Sequence, residues 1–351
     1  MTAAVALGDL EPDSIDKDLA AHYGDPMREQ RLLDREVALI DRSNRGIVTI
    51  TGPERLSWLH NMTTQHLLAL SPGEGTELLV LSPHGHVEHD ALLTDDGTTT
   101  WLDVEPGTAA PLVDFLRKMQ FLTRADPVDA TADYAMFSLV GPAAAEALGK
   151  LGVDLPSAPV TQPVPAAKFA SADVAARPTT VYHTVALPGG GWARRHADRI
   201  DLLVPRQDAA GLDEIAPRAG IWAFEAHRVA SRTPRLGFET DHRTLPAEIE
   251  LLGPAVHLDK GCYRGQETVA RVHNLGRPPR RLALVHLDGI GSDTPPAHGT
   301  EVTLDERPVG FVGTAVRHHE LGMIALVVLK RNVPDDASLR IGDSMAAIDP
   351  A

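Results

Sequence analysis

Two apolar runs that each end in Gly-Pro place the strongest restriction on this chain. Ile47-Val48-Thr49-Ile50-Thr51 leads into Gly52-Pro53, and Phe137-Ser138-Leu139-Val140 leads into Gly141-Pro142. Short runs rich in β-branched and aromatic residues read as strands. Gly permits a sharp exit, and Pro suits the first turn of a helix. Each run therefore predicts strand, turn and helix. The first helix carries Leu56, Trp58, Leu59 and Met62 near helical spacing, and the second is the alanine-rich Ala143 to Gly149. The recurrence suggests two related α+β modules.

At 351 residues the chain exceeds one ordinary core and points to two or three domains. Residues 1–34 are acidic and broken by Pro12 and by Gly24 to Pro26, and they read as a loosely held N-terminal arm. Val37 to Ile40 and Gly46 to Thr51 predict two strands, paired through a turn at Asp41 to Arg45. Further strands are expected at Leu78 to Leu81, Gly85 to Leu93 and Thr100 to Val104, followed by a helix at Pro111 to Met119. Residues 156–178, rich in Pro, Ala and Ser, read as a loop or surface insertion. Helical spacing resumes at Ile215 to Val229, and Pro234 and Gly237 close it. After the stiff Arg277-Pro278-Pro279-Arg280-Arg281 connection, short alternating runs predict a small antiparallel barrel or sandwich.

With 48 acidic against 33 basic side chains, the net charge is -15, which opposes binding to phosphate backbones and anionic lipid. Strong direct nucleic-acid binding and membrane association are therefore not expected. Arg271, Arg277, Arg280 and Arg281 are a local exception, readable as an anion contact or as a solvated linker. The single cysteine excludes an internal disulfide and favours a cytoplasmic location. No secretion signal or apolar span is evident. His84, His86, Glu88 and Asp90 would share one face of a strand over Pro83 to Leu92, a spacing open to a metal, but a solvated face is the simpler reading and no metal is assigned.

The cysteine stands in Lys260-Gly261-Cys262-Tyr263-Arg264-Gly265-Gln266-Glu267. Lys260 and Arg264 flank the sulfur, and cations beside a thiol favour the thiolate. Gly261 and Gly265 would allow a constrained loop. A lone cysteine is also, by residue type alone, a small buried hydrophobe. The octapeptide as a whole resembles the K-G-C-Y-x-G-Q-E signature of the YgfZ family, folate-binding proteins of iron–sulfur cluster assembly and repair. The resemblance extends upstream through Arg228, Arg232 to Gly237, Asp241 and Leu245 to Glu248, and downstream through Ala270-Arg271.

That family is similar in fold to the T-protein of the glycine cleavage system, a tetrahydrofolate-dependent aminomethyltransferase. The resemblance implies an α+β fold. Two ferredoxin-like-type modules and a C-terminal antiparallel β-barrel would be arranged as a ring of three domains around a central folate-type pocket. The first module would comprise residues 35–132 and 226–276, the second 133–225, and the barrel 277–351. It also implies tetrahydrofolate or a folate derivative as cofactor. Gly85-His86-Val87-Glu88-His89-Asp90 resembles the T-protein's G-G-x-x-D-D, which gives Asp90 the folate-facing carboxylate and puts His89 in place of its partner. Ala223 to Arg228 resembles A-R-D-S-L-R, which brings Arg228 to the folate, although Ala230 stands where a glutamate is expected. Trp192, after Gly189-Gly190-Gly191, is the residue offered near the T-protein's pterin-binding glutamate.

The function implied is a folate-binding accessory protein that builds, repairs or protects iron–sulfur clusters and thereby supports tRNA modification. Cys262 would be its reactive thiol, Lys260 the group favouring the thiolate, and Gly261, Tyr263, Arg264, Gly265, Gln266 and Glu267 the supporting loop. Iron–sulfur client enzymes or assembly proteins would be transient partners. The alternative is a tetrahydrofolate-dependent aminomethyltransferase, methyltransferase or demethylase.

Overall fold

The computed structural model describes residues 4–156, 160–162, 179–275, 278–290 and 294–350. Its architecture is mixed α/β, built on one continuous sheet that carries both halves of the chain. From edge to edge the strands are Arg218–Ala219, Ala38–Asp41, Tyr134–Val140, Arg199–Pro205, Trp192–Arg195, Thr179–Ala186, Glu74–Leu81, Val87–Asp95, Thr99–Val104, Gly46–Thr51 and Asp126–Asp129. Val160–Gln162 pairs on Thr179–Ala186 beside this path. The halves meet where Tyr182 pairs with Gly75 and His183 with Glu74.

Both Gly-Pro steps are built as expected. Gly52 has φ +106° and Gly141 has φ +125°, and a Cβ would stand 2.3 Å from the Arg124 carbonyl oxygen at the first and 2.6 Å from the Glu36 carbonyl oxygen at the second. The chain leaves each strand through a conformation open to Gly and enters the helices Arg55–Met62 and Ala144–Gly149.

The expected pairing of the first two strands is overturned. Ala38–Asp41 pairs with Tyr134–Val140 and Arg218–Ala219, whereas Gly46–Thr51 pairs with Thr99–Val104 and Asp126–Asp129. The reason lies in the four residues between them. Arg42 bonds Ser138 and Asp201 in one half, and Arg45 bonds Asp103 and Glu105 in the other, so the segment crosses the seam and does not fold back. The expected helix from Ile215 starts instead at Ile221, because a Cβ on Gly220 would lie 2.1 Å from the Ala21 carbonyl oxygen and the chain passes there extended.

The N-terminal segment is not loosely held. Val5–Ala6 pairs with Ala20–His22, and the helix Pro26–Arg35 follows, capped by the Asp25 side chain on the Arg28 N–H. Leu7, Leu19, Ala21 and Leu33 pack with Ala38, Ile40 and Phe224 in one core.

The C-terminal barrel is closed and antiparallel. Six strands, Arg280–Leu287, Gly322–Lys330, Arg307–His318, Glu301–Leu304, Ser338–Ile341 and Ser344–Ile348, return to the first. Leu-, Val- and Ala-rich residues alternate into its interior, including Val285, Val312, Val327 and Leu339. The basic cluster disperses: Arg280 binds Asp241 and Glu248, Arg281 binds Asp335, Arg271 is exposed, and Arg277 lies outside the described residues. Among the described residues no helix is long and apolar enough to cross a membrane.

Candidate functional site

A cavity of about 500 Å³ opens where the two halves of the sheet meet. Its wall comprises Glu77, Asp90 and Glu105 from one half and Tyr182, Asp198 and Arg199 from the other. The Arg42–Arg45 crossing, Asp16 of the N-terminal segment, and Phe224 and Arg228 of the helix Ile221–Ala230 complete it. No strand of the barrel contributes lining. The barrel meets this wall from behind, where Thr314 accepts from Arg228 at 2.6 Å.

An ion network frames the seam. Arg194, fully buried on Trp192–Arg195, donates to Asp103 at 2.6 Å, Asp201 at 3.1 Å, Thr94 at 3.2 Å and His196 at 3.1 Å. Asp201 also accepts from Arg42, Arg199 and Ser138. These cations overcome the cost of burial and hold the Asp201 carboxylate well below its usual range. Glu105, between Arg45 and Arg235, is held down to about 2. His196 goes down to about 4, because burial and the adjacent Arg199 disfavour its cation.

Asp90 lines the cavity, while His89, the residue before it on the strand, turns towards Phe115. Glu77 on the neighbouring strand lines the cavity beside it. Glu77 lies opposite Leu92 and Asp90 opposite Leu79, so the two carboxyls form a diagonal pair on one face. Burial raises both, and the neighbouring Glu77 charge raises Asp90 further.

Arg228 lines the cavity but is committed elsewhere. It donates to both Glu225 oxygens, to Glu239, to the Thr233 carbonyl and to Thr314. Trp192 is not on the cavity wall. It is packed with Ile47, Ala130, Met136 and Leu203, with Arg194 4.8 Å over its ring. This corrects its expected contact with a cofactor: on its strand the indole faces the core between the halves.

The signature loop is built as a frame around an exposed thiol. Lys260 is buried, and its ammonium donates to the carbonyls of His60, Thr63 and Gln65 at the end of the helix Arg55–Met62. All three of its N–H donors are thus taken by backbone carbonyls. Burial lowers its pKa to about 8. Arg264 is likewise engaged, with Glu88 at 3.1 Å. Tyr263 packs among Leu79, Leu81, Val87 and Ile249. Gly265 has φ +82°, and a Cβ there would meet the Ser82 carbonyl oxygen at 2.7 Å and Gly85 Cα at 2.8 Å. Gly261 has no such constraint. Gln266 donates to the Lys260 carbonyl at 3.4 Å, and Glu267 is exposed in the first turn of the helix Gln266–Leu275. Cys262 is exposed.

His84 and His86 fall in the turn before Val87–Asp95 and not on a strand. Among the described residues, Asp34, His319 and Glu320 alone bring three such donor atoms within 4.8 Å of one another, and none of them lines the cavity. Sequence reasoning missed Glu77, Arg194 and Asp201. Glu77 interrupts an apolar strand, and a charged residue followed by Leu78-Leu79-Val80 is the signal that could have exposed it.

A family model described as the GCVT N-terminal domain matches residues 21–190. The chain is 26% identical, over 79% of its length, to a chloroplastic protein of Arabidopsis thaliana that bears the name of a transferase, and it spans 61% of that relative. It is 26% identical to an aminomethyltransferase of Symbiobacterium thermophilum over 85% of this chain and 79% of the relative. It is 29% identical to the tRNA-modifying protein YgfZ of Vibrio atlanticus over 43% of this chain and 49% of that protein. The crystal structure of the glycine cleavage system aminomethyltransferase T from Bartonella henselae superimposes with a TM-score of 0.77, at 14% identity, covering 100% of this chain and 97% of the other. Residues 21–190 thus match the GCVT N-terminal domain, and the chain as a whole has the fold of that aminomethyltransferase.

Proposed function

We propose that this protein binds a reduced folate in the cavity at the seam and acts through Cys262 as an accessory factor that builds, repairs or protects iron–sulfur clusters. The observation that carries this reading is the signature loop. Lys260, Tyr263 and Gly265 fix it against the wall of the sheet, and the chain's one thiol is left exposed. A frame of that kind is needed to present a side chain to a partner, and a structural cysteine would be buried. One thiolate does not complete the four-ligand set of an iron–sulfur cluster, so Cys262 acts transiently, as a redox thiol or as one ligand shared with a client. Support of tRNA modification follows through cluster-dependent modifying enzymes.

The cavity suits a folate by chemistry. It combines carboxyl groups with the apolar and aromatic faces of Phe224 and Tyr182, as a flat heterocycle with polar edges requires. A second reading, a tetrahydrofolate-dependent aminomethyl- or methyltransferase, is favoured by one observation, the Glu77–Asp90 carboxyl pair facing the cavity.

Replacement of Cys262 by Ala in cells that lack the native copy separates the two. The expected result is loss of activity in several iron–sulfur enzymes, to the level without the protein, while the purified variant still binds tetrahydrofolate. Fully active cluster enzymes together with folate-dependent turnover by the wild type would overturn the accessory role in favour of the transferase.

A further inference from the structure

The exposed apolar side chains of this protein gather at one corner. Of the ten large hydrophobic residues that stand exposed among the described residues, Met119, Phe121, Leu122 and Val128 fall within a single stretch of the chain. Leu122 is 98% exposed and Phe121 88%. Scattered apolar side chains on a surface need no explanation, but a cluster of them marks a contact. Phe121 also holds φ +47°, in the left-handed region that bulky residues avoid. The loop that carries it is nonetheless fixed on both sides. The Trp58 indole donates to the Met119 carbonyl at 3.4 Å, and the Gln120 amide donates to the Ala125 carbonyl. The Arg124 carbonyl accepts from the Glu54 N–H at 3.3 Å, while the Arg124 N–H donates to the Glu54 carboxylate at 2.7 Å. A rigid base thus holds two apolar side chains out in water.

The charge at this corner is opposite to that of the molecule. Between Asp114 and Asp126 the chain has no acidic residue and carries Arg117, Lys118 and Arg124, all exposed, in a protein of net charge -15. Arg124 is paired with Glu54, whereas Arg117 bonds only the Pro127 carbonyl at 3.2 Å and keeps its charge uncompensated there. Two copies meeting symmetrically through this patch would set its cations against their own kind. Strand addition is opposed as well. Asp126–Asp129 is the outer strand of the sheet, but Pro127 lacks an N–H, and Asp126 and Asp129 are exposed charges. The net charge opposes an anionic bilayer, which in any case asks for no fixed loop geometry. A rigid apolar tip with cations beside it matches an apolar pocket edged by carboxylates on another protein.

We propose that the corner at residues 119–122 is the docking surface for the iron–sulfur client or assembly protein, with Phe121 and Leu122 seated in a carboxylate-edged apolar pocket of that partner. The proposal rests on the accessory reading above and deepens it by naming the surface that the partner grips. One face of the helix Ala109–Met119 links the corner to the thiol. Phe115 and Met119, four residues apart, share that face across about 6 Å of helix. The Arg264 guanidinium stands 5.7 Å over the Phe115 ring, and Arg264 follows Cys262 by two residues. A partner seated on the corner therefore extends along this face to the exposed thiol. A single exposed cysteine supplies too little contact to hold a protein, so the grip has to come from apolar anchors beside it.

The test compares variants in cells that lack the native copy, read as the activity of several iron–sulfur enzymes. Leu122→Asp is expected to lower those activities to within about twofold of the Cys262→Ala level, because a charge placed in such a pocket costs at least about tenfold in affinity. Lys118→Glu is expected to act in the same direction, which covers any failure of the first variant to fold. Ile290→Asp, at a site 87% exposed elsewhere, should leave the activities unchanged. Since Leu122 packs in no core, the purified Leu122→Asp protein should keep the wild-type melting temperature, tetrahydrofolate affinity and Cys262 alkylation rate. Full cluster-enzyme activity with Leu122→Asp and Lys118→Glu, where Cys262→Ala is inactive, overturns the docking surface and leaves the accessory reading standing. Full activity with Cys262→Ala overturns both. The docking surface is also overturned if the wild type, and not Leu122→Asp, co-sediments with phosphatidylserine vesicles, which makes the corner a lipid contact. It is overturned again if Leu122→Asp turns a wild-type dimer into a monomer, which gives the corner to a second copy.

Discussion

Lys260 and Glu77 are charged side chains in opposite circumstances. Lys260 spends its ammonium on three carbonyls that the helix Arg55–Met62 and the residues after it leave without partners, which is favourable at a helix C-terminus. Glu77 stands in the cavity wall, where burial raises its pKa. Its raised pKa means that the folded state holds a proton there which the unfolded chain has released above about pH 4.5. Folding is therefore favoured at this position at low pH, and that contribution is lost as pH climbs through about 7. Glu77→Gln removes the effect. Its stability relative to the wild type should rise between pH 5 and pH 8 by on the order of 2 kcal/mol, as read from thermal melts across that range. A constant difference over the range would show that Glu77 does not titrate as described.

Elements meet here through backbone contacts that tolerate no side chain. The turn Ser82–Gly85 and the start of the helix Gln266–Leu275 interlock, because Gly265 faces Ser82 and Gly85, and a Cβ on Gly85 would stand 2.8 Å from Thr268 Cβ. This one contact fixes the signature loop to the strand that carries Asp90. Gly265→Ala brings a left-handed strain and a backbone clash together, with an expected cost of about 1–3 kcal/mol. It should also raise the alkylation rate of Cys262 as the loop loosens. Gly261→Ala has open space and φ outside the left-handed region, so it should leave both nearly unchanged. Chemical denaturation and timed iodoacetamide labelling check the pair of variants, and equal behaviour of the two would remove the interlock from the account.

Across the whole molecule, Arg235 is the tie between distant parts. It donates to both oxygens of Asp16 at 2.6 and 2.9 Å and to Glu105 at 2.7 Å, which joins the N-terminal segment, the sheet and the segment after the helix Ile221–Ala230. Truncating one partner of such a buried pair leaves uncompensated charge. Arg235→Met should therefore cost about 3–5 kcal/mol and release the N-terminal segment. Limited trypsin digestion should then cut after Lys17, where the wild type resists. Protection of Lys17 in the variant would show that Leu7, Leu19 and Ala21 hold the segment without the ion pairs.

The sequence by itself determined most of the local elements. Gly52-Pro53 and Gly141-Pro142 announce strand, turn and helix because φ and the missing Pro donor act within a few residues. Most barrel strands were legible through short alternating apolar runs. Tertiary structure alone decided how those elements meet. Ala38–Asp41 and Gly46–Thr51 part company because Arg42 and Arg45 find carboxylates more than fifty residues away. The N-terminal segment is folded because Asp16 finds Arg235, 219 residues on. Glu77 gains its raised pKa only when the fold buries it in the wall of the seam. Period and propensity act over a few residues, whereas charge compensation in a buried seam depends on partners that the sequence order does not place together.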